Sequence, residues 1–181
     1  MGHGARGTDR QRLNGRLDDQ AAGPFRGQPL RISILCIGRA RGGAAMELYR
    51  DYVSRLPWDV SLKELVERRK LPPASRLARE AELFAAAIPK GAVVVALDER
   101  GKLLTSEAFA KRLGAWIDQG RGDAAFLIGG ADGLSDAVRA RADLVLSLGP
   151  MTWPHLLVRA LLAEQLYRAF TIIGGHPYHR D

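Results

Sequence analysis

The chain has 181 residues, 46% of them apolar and 26% charged, with a formal net charge of +7 and a pI of about 10.1. That length suits one domain with a full core, and the composition excludes a wholly disordered, collagenous or disulfide-framed chain. No apolar run reaches the ~18 residues of a membrane span, and no apolar segment follows the basic N-terminus, so the expected setting is a reducing cytoplasm without a leader.

Residues 1–29 are rich in Gly, Arg, Gln and Asp, with one aromatic residue, Phe25. Such a segment cannot bury enough apolar surface to offset its ordering, which predicts a disordered extension ahead of one domain spanning 30–181. Its five arginines and three aspartates give it a net +2, leaving +5 on the rest. The excess charge is therefore spread through the fold, which is compatible with a nucleic-acid partner but does not choose between RNA, DNA and plain solubility.

From Leu30 onward, strand and helix patterns alternate. "RISILCI" (31–37) is a β-rich run ended by Gly38, and its Cys36, the single cysteine, reads as a small buried hydrophobe. "AMELYRDYVSRL" places Ala45, Leu48, Tyr49, Tyr52, Val53 and Leu56 on one helical face, and Pro57 closes it. "VSLKELV" (60–66) predicts a strand, "ERRKLPPAS" a loop and "SRLAREAELFAAAI" a second helix. "AVVVAL" (92–97) is a fully apolar strand of the parallel-sheet kind. "DERGK" turns it into the helix "TSEAFAKRLGAWIDQ", with Thr105 or Ser106 as N-cap. "AAFLI" (124–128) is another buried strand. It is followed by "GGADGLS", a short helix from about Asp136, and the strand "DLVLSL" (143–148). After "GPMTWP" the last helix runs from about His155 to Phe170. The expected fold is α/β, a mostly parallel five-stranded sheet with helices on both faces.

The last helix, "HLLVRALLAEQLYRAF", is apolar around well over half its circumference. Either it is a central buried helix, or one side packs on the sheet and the other on a second subunit. Leu157, Leu161 and Leu162 are the residues that the second arrangement would use.

Ligands of open α/β sheets bind outside the carboxyl ends of the strands. Three loops qualify: "DERGK", "GGADG" and "GPMTWP". Their glycines let main-chain amides approach a ligand, although each loop also reads as a tight turn. Neither G-x-G-x-x-G nor the P-loop pattern occurs, so the standard dinucleotide and nucleotide motifs are absent. "GRARGG" (38–43) is a weaker phosphate-site candidate. Beyond His3 in the extension, the histidines have no cysteine or carboxylate at ligand spacing, so no metal is expected. Nor is there a G-x-S-x-G elbow for serine chemistry. The terminal "GGHPYHRD" ends on imidazole, phenol and guanidinium groups, where a chain end is normally small and frayed.

Together, "LDERG", "FLIGGADGL", "LSLGPMTWPHLLVRALLAEQLYRAF" and "HPYHR" resemble one family closely, over about five-sixths of the chain. It is the small SPOUT-superfamily methyltransferase of the bacterial large ribosomal subunit, which methylates N3 of a pseudouridine in 23S rRNA. The resemblance implies a C-terminal trefoil knot, a homodimer and S-adenosylmethionine as cofactor. It also implies cofactor contacts at Leu97, Gly129, Leu148, Gly149, Pro150, Met151, Thr152 and Trp153, with Leu97, Leu148 and Met151 around the adenine. His155 and His179 are possible bases for the N3 proton, and nothing in the sequence selects one. Tyr178, His179 and Arg180 would meet the RNA by stacking and phosphate contact. Other RNA targets such as tRNA, or a non-catalytic ribosome-assembly role on the same fold, are the alternative functions. A dehydrogenase-like domain would need the glycine fingerprint that is missing.

Overall fold

A computed structural model describes residues 30–176 and Tyr178. The extension 1–29 lies outside the described residues, as do the site candidates His179 and Arg180. The chain alternates β1 (Arg31–Ile37), α1 (Ala44–Ser54), β2 (Asp59–Leu65), α2 (Pro73–Ala87), β3 (Val93–Leu103), α3 (Ser106–Asp118), β4 (Asp123–Ile128), α4 (Asp136–Ala140), β5 (Leu144–Ser147) and α5 (His155–Ile173). All five strands form one parallel sheet in the order β2-β1-β4-β3-β5.

The period of two along the strands divides the core in two. Ile32, Ile34 and Cys36 of β1 and Ala124, Phe126 and Ile128 of β4 face α1, α3 and α5. Leu35 and Ile37 of β1 and Ala125 and Leu127 of β4 face Phe84 of α2 and Val138 of α4. Helices thus cover both faces, and the central strands are apolar on both sides for that reason. Cys36 is fully buried among them.

Three elements depart from the sequence expectation. In α1 the inward residues are Met46 and Tyr49, while Leu48 is 44% exposed. The helix is turned so that Met46 takes the place assigned to Leu48. β3 does not end at Leu97 but runs to Leu103. Its register against β5 shifts between Leu97 and Lys102, both of which pair with Leu146, so the charged "DERG" forms a bulge rather than a strand-ending turn. Gly101 permits this, because a Cβ there would lie 2.6 Å from the Leu146 carbonyl carbon. Finally, α5 packs against both α1 and α3 and lies over the sheet, burying Arg159, Ala160, Leu162, Ala163, Leu166 and Ala169. Leu162 is therefore a core residue of its own subunit and is not available to a partner. Leu157 and Leu161 remain half-buried.

Thr105 is the N-cap of α3, accepting a hydrogen bond from the Ala108 N–H at 3.2 Å. Capping fixes where α3 begins after β3.

Candidate functional site

Because β3, β4 and β5 are adjacent and parallel, the segments at their carboxyl ends converge. They enclose a cavity of about 500 Å³, within the ~300–1,000 Å³ common for small-molecule sites. Leu97, Ile128, Leu146, Leu148, Met151 and Val158 give it apolar walls. Residues 129–134, 148–149 and 151–154 line its rim.

The loop after β4 is held by main chain. Gly130 and Gly133 form an isolated antiparallel bridge, and the Gly133 N–H donates to the Gly130 carbonyl at 3.1 Å. Gly129 is buried under this turn, and a Cβ on it would lie 2.5 Å from the Gly133 oxygen. Glycine is required there by the backbone of its own loop, which differs from the sequence expectation of clearance for a ligand. Gly133 itself has φ +74°, a left-handed conformation suited to glycine. Below the turn, burial raises the Glu80 carboxyl above its usual range. Arg76 opposes that shift and Asp132 adds to it. Arg76 also pairs with Asp132 across the loop, its Nε 2.8 Å from the carboxylate.

The loop after β5 is anchored only at its start. Ser147 Oγ accepts from the Gly149 N–H at 3.2 Å and donates to the Gly149 carbonyl at 3.1 Å, and Gly149 has φ +121°. Beyond that point Met151 is 69% and Trp153 39% exposed. Such exposure of large apolar groups at a cavity mouth marks a surface awaiting an occupant. His155 is the first residue of α5, exposed at the rim.

The third wall is the β3 bulge. Asp98 accepts a hydrogen bond from Arg139 Nη1 at 2.9 Å, and its side chain is only 7% exposed. Arg139 also binds the Leu134 carbonyl and Asp136. This pair ties the bulge to α4 and puts fixed charges of both signs on the cavity.

Of the residues expected from the sequence, Leu97, Gly129, Leu148, Gly149, Met151, Thr152, Trp153 and His155 line this one cavity. Pro150 lies between lining residues but is not one of them. Tyr178 is elsewhere: its ring packs edge-on against Tyr167, with centroids 4.9 Å apart, and lies 5.0 Å from the Arg168 guanidinium carbon. Desolvation, with a hydrogen bond to Tyr52, pushes its phenol up to about 12. The Asp98–Arg139 pair was missed by sequence reasoning. "DERGK" was marked only as a strand-end loop, and nothing signalled Arg139 as the partner of Asp98, 41 residues away. Among the described residues, no group of histidines, cysteines and carboxylates could hold a metal ion, and no helix is long and apolar enough to cross a membrane.

The family model described as "Predicted SPOUT methyltransferase" matches residues 30–179. A chain named Ribosomal RNA large subunit methyltransferase H from Rhodospirillum centenum is 59% identical over 152 residues, and one from Paramagnetospirillum magneticum is 57% identical over 151. Each alignment covers 83% of this chain and 99% of the relative. Among solved structures, a probable methylase family protein from Haemophilus influenzae Rd KW20 superposes with a TM-score of 0.55 at 16% identity, over 82% of this chain and 70% of that one. A probable methyltransferase from Bordetella pertussis Tohama I gives 0.53 at 16%, over 77% and 96%. At such identities these two structures are alike in fold alone.

Proposed function

The chain belongs to the SPOUT methyltransferase family, and on that premise we propose that it methylates N3 of a pseudouridine in 23S rRNA of the large ribosomal subunit. The methyl donor is S-adenosylmethionine, and residues 30–181 act as one domain, tied in its C-terminal half by the family's trefoil knot. The observation that carries this reading is the convergence of three strand-end loops, each containing a family motif, on one cavity.

The residues present fit that cofactor. Leu97, Leu148 and Met151 offer apolar surface to a purine, and the main chain around Gly129 and Gly149 offers hydrogen bonds to its polar edge. When bound, S-adenosylmethionine supplies an electrophilic sulfonium methyl. The protein's work is then to position the pseudouridine N3 in line with that methyl and keep water out. N3 must lose its proton to become nucleophilic. Of the two candidate bases, His155 is the one within the described residues, and its place on the cavity rim suits it to receive that proton.

The active unit in this reading is a homodimer in the cytoplasm, with the tail acting in trans. Tyr178 is seated on Tyr167, twelve residues along α5 from the cavity residue His155. At ~1.5 Å rise per residue that is roughly 18 Å, so the ring that precedes the tail is held away from its own cavity, which supports a tail that serves a second subunit's.

Calorimetric titration with S-adenosylmethionine, NAD and ATP tests the cofactor assignment. Micromolar-range binding of the first alone is expected, and binding of NAD or ATP in its place would refute it. For the tail, a chain lacking 178–181 mixed with a cofactor-site variant should regain activity through heterodimers. No regain, with each variant inactive alone, would place the tail in cis.

A further inference from the structure

The segment Gly38–Gly43, "GRARGG", carries two arginines and was absorbed by none of the three cavity loops. The structure places it at the cavity rim: a methyl group on Gly38 would lie 3.9 Å from His155 Nε2. Arg39 and Arg41 are exposed and form no salt bridge with a described residue, although the Arg39 charge helps to lower the nearby Glu64 carboxyl. The loop that presents them is nevertheless fixed at three points. The Gly38 N–H donates to the Leu65 carbonyl at 2.9 Å. The Ala40 N–H donates to Glu64 Oε1 at 2.7 Å. Arg159 Nη2 donates to the Gly38 carbonyl at 3.1 Å.

Arg159 is fully buried, its Nη1 lies 2.5 Å from the same Glu64 oxygen, and its Nε has no hydrogen-bond partner. Burial raises the Glu64 carboxyl, but the hydrogen bonds from Ala40 and Arg159 outweigh it and hold the group below its usual range. A buried ion pair with an orphaned donor is a poor stabiliser compared with an apolar substitute. Its geometric effect is specific, since it joins α5, β2 and the backbone of this loop at one carboxylate.

We propose that Gly38–Gly43 is a phosphate-binding element for the RNA backbone flanking the target base. Arg39 and Arg41 are its contacts, and the Arg159–Glu64 pair positions the loop. Guanidinium groups on a pre-positioned backbone suit phosphate, because both partners keep their charge and the planar fork limits the side-chain freedom lost per hydrogen bond formed. The loop supplies affinity and register without reading bases. This inference rests on the functional reading above and adds residues that the cavity does not contain.

The test compares the doubly substituted R39Q/R41Q chain with wild type and with K90Q/R121Q. Lys90 and Arg121 are exposed and precede β3 and β4, at the amino ends of the strands, whereas the cavity lies at their carboxyl ends. Large ribosomal subunits and assembled ribosomes from a strain lacking the methyltransferase are the ligands, titrated between 50 and 200 mM salt. Loss of two phosphate contacts should flatten the slope of log affinity against log salt by roughly 1.4–1.8. It should weaken RNA affinity about 10-fold or more. The effect should fall on KM, with kcat at saturating substrate and S-adenosylmethionine affinity near wild type. R159M should raise KM in the same direction while retaining both arginines, and K90Q/R121Q should match wild type. Wild-type turnover with an unchanged slope in R39Q/R41Q overturns this inference alone, as does an equal loss in K90Q/R121Q. Absence of wild-type turnover overturns the functional reading and this inference with it.

Discussion

Two loops face each other across the cavity and are built in opposite ways. The loop after β4 is closed on itself, with Gly129 beneath the Gly133 carbonyl, a bridge from Gly130 to Gly133, and Arg76 paired with Asp132. The loop after β5 is pinned at Gly149 by the Ser147 hydroxyl and then leaves Met151 largely and Trp153 partly in solvent. One wall is rigid before anything binds, and the other keeps apolar surface in reserve. A rigid wall fixes where a reacting atom sits, and the open wall gains its burial only when an occupant arrives. Substitutions in the two should therefore separate stability from binding.

The largest effect is expected from Gly129→Val. The added Cβ would sit 2.5 Å from the Gly133 oxygen, so the turn must move. Cofactor binding should become undetectable by calorimetry, and overpacking should also cost about 1–3 kcal/mol of stability. That is a fall of roughly 2–4 °C in Tm per kcal/mol for a chain of this size. Full S-adenosylmethionine affinity in a folded Gly129→Val chain would show that this wall is not part of the site.

Trp153→Ala should act more on binding than on stability. Trp153 is 39% exposed, so its loss should cost about 1 kcal/mol of stability, toward the low end of the Gly129→Val effect. If the ring closes over the cofactor, the loss of ~1.5–3 kcal/mol of burial weakens affinity roughly 10- to 100-fold. A Tm change with unaltered affinity would reverse the roles assigned to the two walls.

The smallest effect sharpens the rigid side. Burial holds the Glu80 carboxyl above its usual pKa, against the opposing Arg76. A raised folded pKa means that this group's contribution is complete below the unfolded value of about 4.3. It is lost as pH rises through the folded value. Glu80→Gln should thus match wild type near pH 4 and melt higher at pH 7. Thermal scans across that range decide it, and a lower Tm for the variant at pH 7 would mean that the charged form is the one the loop uses.

The same contrast explains what was legible in the sequence. Strands whose residues are apolar on both faces, such as "RISILCI" and "AAFLI", could be read directly because burial on both sides writes itself into composition. The glycines that end β4 and β5 likewise marked the site, since strand ends in parallel sheets are where ligands bind. What failed was whatever depends on a partner distant in the chain. The β3 bulge is allowed by Gly101 lying on the Leu146 backbone, and "DERG" alone looks like a turn. Leu162 looked like interface surface because α5 is apolar nearly all round, and only its position among α1, α3 and the sheet shows it to be core. Arg159 counted as a polar residue of that helix, yet it is fully buried against a glutamate 95 positions earlier. Gly129 was singled out for room to admit a ligand, and the structure shows that its own loop already fills that room.

The central claim is that this cavity delivers a methyl group to N3 of one pseudouridine in 23S rRNA. The direct measurement incubates the purified protein and isotope-labelled S-adenosylmethionine with large subunits and ribosomes from a strain lacking the enzyme, then maps the label by nucleoside and fragment mass spectrometry. The account predicts one labelled 3-methylpseudouridine in 23S rRNA and none with the Gly129→Val chain. Label on tRNA, on another nucleoside, or on no RNA at all would contradict it.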